Sequence, residues 1–164
     1  MSTTDNIKTA FAGESQASRK YLAFSEKAAK EGLDKISRLF RAAAEAETIH
    51  AMKYIQVMDS ARSTAENLLQ ALDGEYHEFT QMYPAFIATA QQEGDKTAEY
   101  SFSLANEAEK VHHGLFEKAL QAVSEGKDFP AEEFYLCPIC GWVGSEAADR
   151  CPICGTPGKA FKKY

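Results

Sequence analysis

Two four-residue stretches of this chain, Glu47-Thr48-Ile49-His50 and Glu109-Lys110-Val111-His112, carry the same two groups at the same spacing. On a helix, residues three apart point the same way, so each stretch offers a carboxylate oxygen and an imidazole nitrogen from one face. Those are metal-ligand groups. Each stretch is also preceded by a Gly-Glu pair: Gly13-Glu14 lies 33 residues before Glu47 and Gly74-Glu75 lies 34 before Glu109. What the sequence repeats is therefore a ligand set. A second set stands near the C-terminus, where all four cysteines form two Cys-x-x-Cys pairs, Cys137 to Cys140 and Cys151 to Cys154. Two such knuckles bring four thiolates to one tetrahedral ion, and the spacing alone suits either iron or a zinc ribbon.

The elements that must hold the carboxylates and imidazoles are helices. A first helix is expected over residues 4 to 31, capped by Thr4 or Asp5 and stopped by Gly32. Its apolar stripe of Ile7, Phe11, Ala17, Tyr21, Phe24 and Ala28 includes Glu14. A second, from Leu33 to about Met58 with Asp34 as cap, turns Glu47 and His50 inward. Ser63-Thr64-Ala65-Glu66 has the form of a capping box that starts a third helix, expected to run to about Glu93 with an irregularity near Asp73-Gly74. Glu75 and Glu78 lie in its stripe. Asp95 caps a fourth helix that reaches about Glu125, with Gly126 as its stop and Glu109 and His112 on its inner face. Long amphipathic helices of this kind predict an all-α chain built as a four-helix bundle. Counted from the hairpin turns, the inward carboxylates of all four helices fall within roughly one helical turn of a common level.

Glu14, Glu47, Glu75, Glu78, Glu109, His50 and His112 meeting in an apolar bundle cannot all remain ionised and unpaired. Two cations would offset that charge, and oxygen-rich ligation with two imidazoles suits iron or manganese. Net charge is −6, which disfavours nucleic acid or an anionic membrane as a partner. No apolar run is long enough to span a bilayer and no secretory signal is read, so a cytoplasmic location is expected. Cysteines clustered in this way fit metal ligation in a reducing compartment. His77 and His113, one position off the ligands, read as surface residues, and the methionines as core fillers. A linker after Gly126 divides residues 1–126 from 127–164.

Taken together, Gly13-Glu14, Glu47-x-x-His50, Gly74-Glu75-x-x-Glu78 with Met82-Tyr83-Pro84, Glu109-x-x-His112 and the double Cys-x-x-Cys resemble the rubrerythrin family over essentially the whole chain. The resemblance implies a ferritin-like di-iron bundle joined to a small rubredoxin-like Fe(Cys)4 module, and a peroxidase that reduces hydrogen peroxide. By matching position, Glu14, Glu47, His50, Glu75, Glu78, Glu109 and His112 would hold two irons, and Cys137, Cys140, Cys151 and Cys154 one more, with zinc able to replace it on heterologous expression. Glu78 and His50 would be the pair that exchanges at iron as its redox state changes. Tyr21 and Tyr83 match tyrosines expected beside the irons.

Because the chain has no Gly-x-Gly-x-x-Gly, electrons from NAD(P)H are expected through a separate reductase or rubredoxin. The distance from His112 to the end of the fourth helix, about 21 Å, suggests that the cysteine module lies far from its own chain's irons. A head-to-tail homodimer with delivery in trans is the resulting expectation. Ferrous-iron oxidation and storage is the alternative activity, and a zinc-stabilised adaptor a third reading.

Overall fold

The computed structural model describes residues 2–164, which divide into two compact units, one ending at Arg62 and the other spanning Ser63–Tyr164. The first unit is a helical hairpin of α1 (Thr3–Lys30) and α2 (Asp34–Val57). α1 begins one residue earlier than its pattern suggests because Ser2, not Thr4 or Asp5, is the cap. The Ser2 hydroxyl accepts from the Asp5 amide at 3.2 Å while the Asp5 carboxylate accepts from the Ser2 amide at 2.9 Å. Gly32, at φ 76°, takes the left-handed conformation that ends the helix, and the Leu33 amide closes onto Ala28 O at 2.9 Å. Leu33, rather than Asp34, occupies the cap position of α2, with no side-chain cap bond.

The seam between α1 and α2 is made of small residues. Ala28, Ala44, Ala51, Ser18, Ser25 and Ser37 are the buried ones, and the hydroxyls bond across it: Ser25 Oγ to Ser37 Oγ at 2.9 Å, Ser18 Oγ to Thr48 Oγ1 at 2.9 Å. Small side chains allow close approach of the helix backbones, and the pairing satisfies polar groups that burial would otherwise penalise. Bulkier apolar groups are displaced to the outside of the seam. Phe24 stays 47% exposed and Leu39 68%.

The second unit opens with α3 (Thr64–His77), capped as its sequence predicts by Ser63, whose hydroxyl accepts from the Glu66 amide at 3.3 Å. The irregularity expected near Asp73-Gly74 lies instead at Glu78–Met82, one turn of π-helix, after which α4 (Tyr83–Glu93) resumes. Pro84 is the local cause: it has no amide proton to give, and the Tyr83 amide reaches back to Glu78 O, widening the turn. Gly94 at φ 73° and the Asp95 side chain, bonded to the Thr97 and Ala98 amides, turn the chain into α5 (Lys96–Ser124). α3 and α4 both pack on α5.

Beyond Gly126 the chain enters a small antiparallel sheet of order β2-β1-β3, with β1 Tyr135–Leu136, β2 Val143–Gly144 and β3 Lys162–Lys163. Its core is Cys137, Cys140, Trp142 and Cys151, and Leu104 and Val111 of α5 pack against it. No helix among the described residues is long and apolar enough to cross a membrane.

Candidate metal centres

In the second unit, donor atoms of Glu75, Glu109 and His112 lie within 4.8 Å of one another. His112 Nδ1 stands 2.6 Å from Glu109 Oε2 and 3.8 Å from Glu75 Oε2. The other ring nitrogen is engaged: Nε2 donates to Gly141 O at 2.9 Å. With Nε2 committed as a donor, Nδ1 is the nitrogen that faces the carboxylates and the one able to take a metal once its proton is lost. Glu75 Oε2 is buried with no hydrogen-bond partner among the described residues. Burial, reinforced by the Glu109 charge, pushes the Glu75 carboxyl up to about 7, and burial followed by Glu109 raises Glu78 as well. The His112 ring is also raised, chiefly by its bond to Glu109 and against the opposing effect of burial. Crowded carboxylates, one of them with an orphaned buried oxygen, form a donor set whose charge a cation would offset.

The first unit offers a matching triad. Glu14, Glu47 and His50 also have donor atoms within 4.8 Å of one another, with His50 Nδ1 2.9 Å from Glu47 Oε2. The His50 side chain is 56% exposed, contrary to the inward orientation its stripe suggests. A two-helix hairpin has one buried seam, and here small residues fill it. Beside each triad stands the same aromatic trio. Tyr21, Phe24 and Phe40 have centroid separations of 6.2, 6.2 and 5.5 Å; Tyr83, Phe86 and Phe102 have 6.3, 6.3 and 5.5 Å.

Tyr21, Phe24, Phe40, Glu47 and His50 each recur 62 positions later, whereas Glu14 recurs 61 later at Glu75. One residue is inserted between Glu75 and Tyr83, and the π turn of Glu78–Met82 absorbs it. Without that widening Tyr83 would be turned about 100° round the helix from the place it holds. Glu78 takes the place that Ala17 holds in the first unit, so the extra carboxylate belongs to the second triad alone.

The four cysteines also converge, with Cys137 Sγ 3.5 Å from Cys154 Sγ and Cys140 Sγ 3.4 Å from Cys151 Sγ. Burial raises the Cys140 and Cys151 thiols. Burial acts the same way on Cys154, but the Thr156 hydroxyl at 3.1 Å, its backbone and the neighbouring sulfurs outweigh it and bring that thiol down to about 6. Gly141 and Gly155 follow the two knuckles at φ 81° and 74°, and their amides bond to Cys137 O at 3.1 Å and Cys151 O at 2.9 Å. A thiolate-rich tetrad of this kind fits iron or zinc.

One expectation is overturned. The cysteine module is not remote from its own chain's ligands: it lies on α5, with Gly141 O bonded to His112 and Val111 packed against the cysteine core. The helix does run on past His112, but Gly126, at φ 71°, reverses the chain. Phe129 and Phe134 then line an apolar cavity of about 400 Å³ with Leu68, Leu115, Phe116 and Val143.

A model of the rubrerythrin family matches residues 5–120. The chain belongs to the rubrerythrin family. Rubrerythrin-2 of Clostridium acetobutylicum is 37% identical across 99% of this chain and 96% of its own length. Nigerythrin of Nitratidesulfovibrio vulgaris is 39% identical across 99% of this chain and 87% of its own. A nigerythrin structure described as fully reduced and all ferrous aligns over 100% of this chain and 87% of that one, with a TM-score of 0.59 at 37% identity. The fold class is that of the family: helices of a ferritin-like bundle followed by a rubredoxin-like four-cysteine module. As a rubrerythrin, the chain is a metal-binding protein whose carboxylate–histidine and cysteine sites are suited to iron.

Three residues near these sites escaped the sequence reading. His113 is half-buried, edge-on to Phe79 at 5.5 Å and beside Tyr76 at 5.9 Å; its aromatic neighbours at i−34 and i−37 were visible only once the fold was known. Asn106, one turn before Glu109, has a buried Oδ1 with no partner among the described residues. Gly141 has no side chain to mark it in the sequence, and its backbone carbonyl is the acceptor for His112.

Proposed function

We propose that this rubrerythrin is a non-haem di-iron peroxidase that reduces hydrogen peroxide to water, and that its two triads together hold one dinuclear centre. The observation that carries this reading is the near-duplicate pair of half-sites, each with two carboxylates and one imidazole, of which the second also has Glu78. Neither triad alone supplies enough oxygen donors for a pair of irons. Together they supply five carboxylates and two imidazoles, the complement described for ferritin-like di-iron bundles with Glu78 in addition.

Iron, when bound, supplies the redox chemistry that splits the O–O bond, a reaction that takes up two electrons and two protons for each peroxide and yields two waters. The protein's own groups prepare it. Glu78 begins the π turn, where the hydrogen-bond ring widens from the α-helical register, the kind of local departure that recurs at functional sites. The π turn would suit an exchange of Glu78 with His50, whose ring is open to solvent and held by Glu47. Tyr83 keeps its proton, since burial and the charges of Glu109, Glu78 and Glu75 all raise its pKa, and it therefore stands as a hydroxyl donor on the triad's face. Tyr21 holds the equivalent place beside Glu14.

Electrons enter at the cysteine centre from a separate reductase or rubredoxin. From Cys140 the covalent route to His112 is one residue, Gly141, and one hydrogen bond of 2.9 Å. This favours delivery within one chain over the trans delivery the sequence suggests. The boundary after Gly126 is then a boundary of chemical role, between residues 1–126 that hold the peroxide site and 127–164 that feed it. Rapid mixing tests the activity: the reduced protein should be oxidised faster by hydrogen peroxide than by oxygen. Faster reaction with oxygen, accompanied by turnover of added ferrous iron, would make the protein a ferroxidase instead.

A further inference from the structure

We propose that the Thr156 hydroxyl raises the reduction potential of the cysteine centre by donating a hydrogen bond to Cys154 Sγ. The proposal rests on the iron reading of that centre and adds a residue that decides how readily it takes an electron. Thr156 Oγ1 stands 3.1 Å from Cys154 Sγ. A sulfur that holds a metal is a thiolate with no proton of its own, so with the ion in place the hydroxyl is the donor and the sulfur the acceptor. Among the described residues, Cys154 is the cysteine with a hydroxyl beside its sulfur.

A comparison of the two knuckles isolates what this bond adds. Cys137-Pro138-Ile139-Cys140-Gly141 returns unchanged as Cys151-Pro152-Ile153-Cys154-Gly155, and the repeat breaks at the next residue, Trp142 in the first and Thr156 in the second. The backbones still match: the Cys137 amide donates to Trp142 O and the Cys151 amide to Thr156 O, both at 2.8 Å. Backbone hydrogen bonds from Trp142 and Thr156 favour the thiolates of Cys140 and Cys154 alike. The side chains then diverge. Trp142 is buried against Phe161, with ring centroids 5.4 Å apart, whereas Thr156 presents its hydroxyl to the sulfur. That hydroxyl is held in place, because the Thr156 carbonyl is engaged, Pro157 restricts the backbone before it, and a β-branched side chain has few χ1 rotamers. Thr156 and Cys154 are both half-buried, so water competes for the bond only in part.

Reduction of ferric to ferrous iron in a tetrathiolate adds one electron and makes or breaks no bond, so the charge of the iron with its four sulfurs goes from one negative to two. A donor aimed at a sulfur favours the more negative state and so raises the potential. Losing one neutral hydroxyl donor should lower the equilibrium constant for reduction about three- to tenfold, which for one electron is about 30 to 60 mV. An electron donor with the same four-cysteine ligand set but no such hydroxyl then passes its electron downhill, and the bond gives transfer into this chain its direction.

A redox titration of the full chain tests this, with the cysteine site reconstituted with iron under argon, dithionite as the reductant and the ferric–thiolate absorption as the readout. Thr156→Val keeps the shape and removes the donor, and its midpoint should lie about 30 to 60 mV below that of the unaltered chain. Thr156→Ser restores a hydroxyl and should bring the midpoint nearer to the unaltered chain than to Thr156→Val. A drop of less than about 30 mV in Thr156→Val overturns the proposal. So does a Thr156→Ser midpoint that stays with Thr156→Val, since packing at this position, and not the hydroxyl, would then set the potential. Should Thr156→Val hold no iron, a measurement on the unaltered chain decides. With NMR-active cadmium in the cysteine site, a proton–cadmium correlation should show the Thr156 hydroxyl proton coupled through Cys154 Sγ. Absence of that coupling beside resolved couplings from backbone amides overturns the proposal. A cysteine site that takes up no iron in the unaltered chain overturns the iron reading itself, and the proposal with it.

Discussion

Removing the Glu75 charge should stabilise the metal-free protein and flatten its response to pH. Burial, with the nearby Glu109 charge, lifts the Glu75 carboxyl from 4.5 to about 7. The folded chain thus keeps this proton until near neutrality, while the unfolded chain releases it near 4.5. Between those values the folded state binds more protons, so the free energy of unfolding falls as pH rises, with stability fully present below about 4.5 and lost through 7. His112 and Glu78, also raised on folding, act in the same direction.

A tenfold change in proton affinity is worth about 1.4 kcal/mol, which puts the Glu75 contribution at roughly 3 kcal/mol before screening and about 2 kcal/mol after it. Glu75→Gln keeps the shape and removes the titration. Urea unfolding of chelator-treated protein, followed by helical circular dichroism from pH 4.5 to 8, should show the wild type losing stability across that range and the variant losing about 2 kcal/mol less. Parallel curves for the two proteins, or a wild type that gains stability as pH rises, would refute the placement of Glu75 in a desolvated acidic cluster. Metal reverses the sign for the wild type, since binding requires the carboxylate and releases its proton.

Other outcomes follow from single contacts. A methyl group added at Gly144 would collide with the Trp142 ring, so Gly144→Ala should displace the indole and cost about 1–3 kcal/mol, read as loss of thiolate-to-metal absorption on mild heating. Ser25→Leu places a branched side chain in the small-residue seam where Ser25 bonds to Ser37, and should lower the unfolding temperature of the α1–α2 hairpin with an effect of similar size. Deleting Thr80 should convert the π turn of Glu78–Met82 to α-helix with the spacing that Glu14 and Tyr21 have in the first unit, which keeps Tyr83 and Phe86 in their trio with Phe102. Near-ultraviolet circular dichroism should therefore stay close to that of the unaltered chain, and loss of the aromatic signal would contradict the account of the extra residue.

Much of the site was legible because ligand spacing on a helix is a local property. Glu47/His50 and Glu109/His112 converge as their three-residue spacing requires, and the cysteine tetrad follows from its two knuckles. The lengths of 33 and 34 residues between the Gly-Glu pairs and the Glu-x-x-His stretches already contained the π turn, as a one-residue mismatch, but helical periodicity does not say where an extra residue is absorbed. Pro84 was the signal for that place. Less legible was anything decided by chain reversal. A positive φ at Gly126 sends the cysteine module back along α5, and a helix-length estimate from His112 onward cannot foresee it. Burial was overestimated for the same kind of reason: a stripe marks an apolar face, while the α1–α2 seam is filled by serine and alanine and leaves Phe24 and His50 exposed.

The most direct test of the central claim is an iron count with Mössbauer spectroscopy on protein loaded in iron medium. Joined half-sites predict three irons per chain, one of them in a tetrathiolate site and two spin-coupled in oxygen- and nitrogen-rich surroundings. Two magnetically isolated ions, each held by its own triad, or a single iron per chain confined to the cysteines, would contradict it.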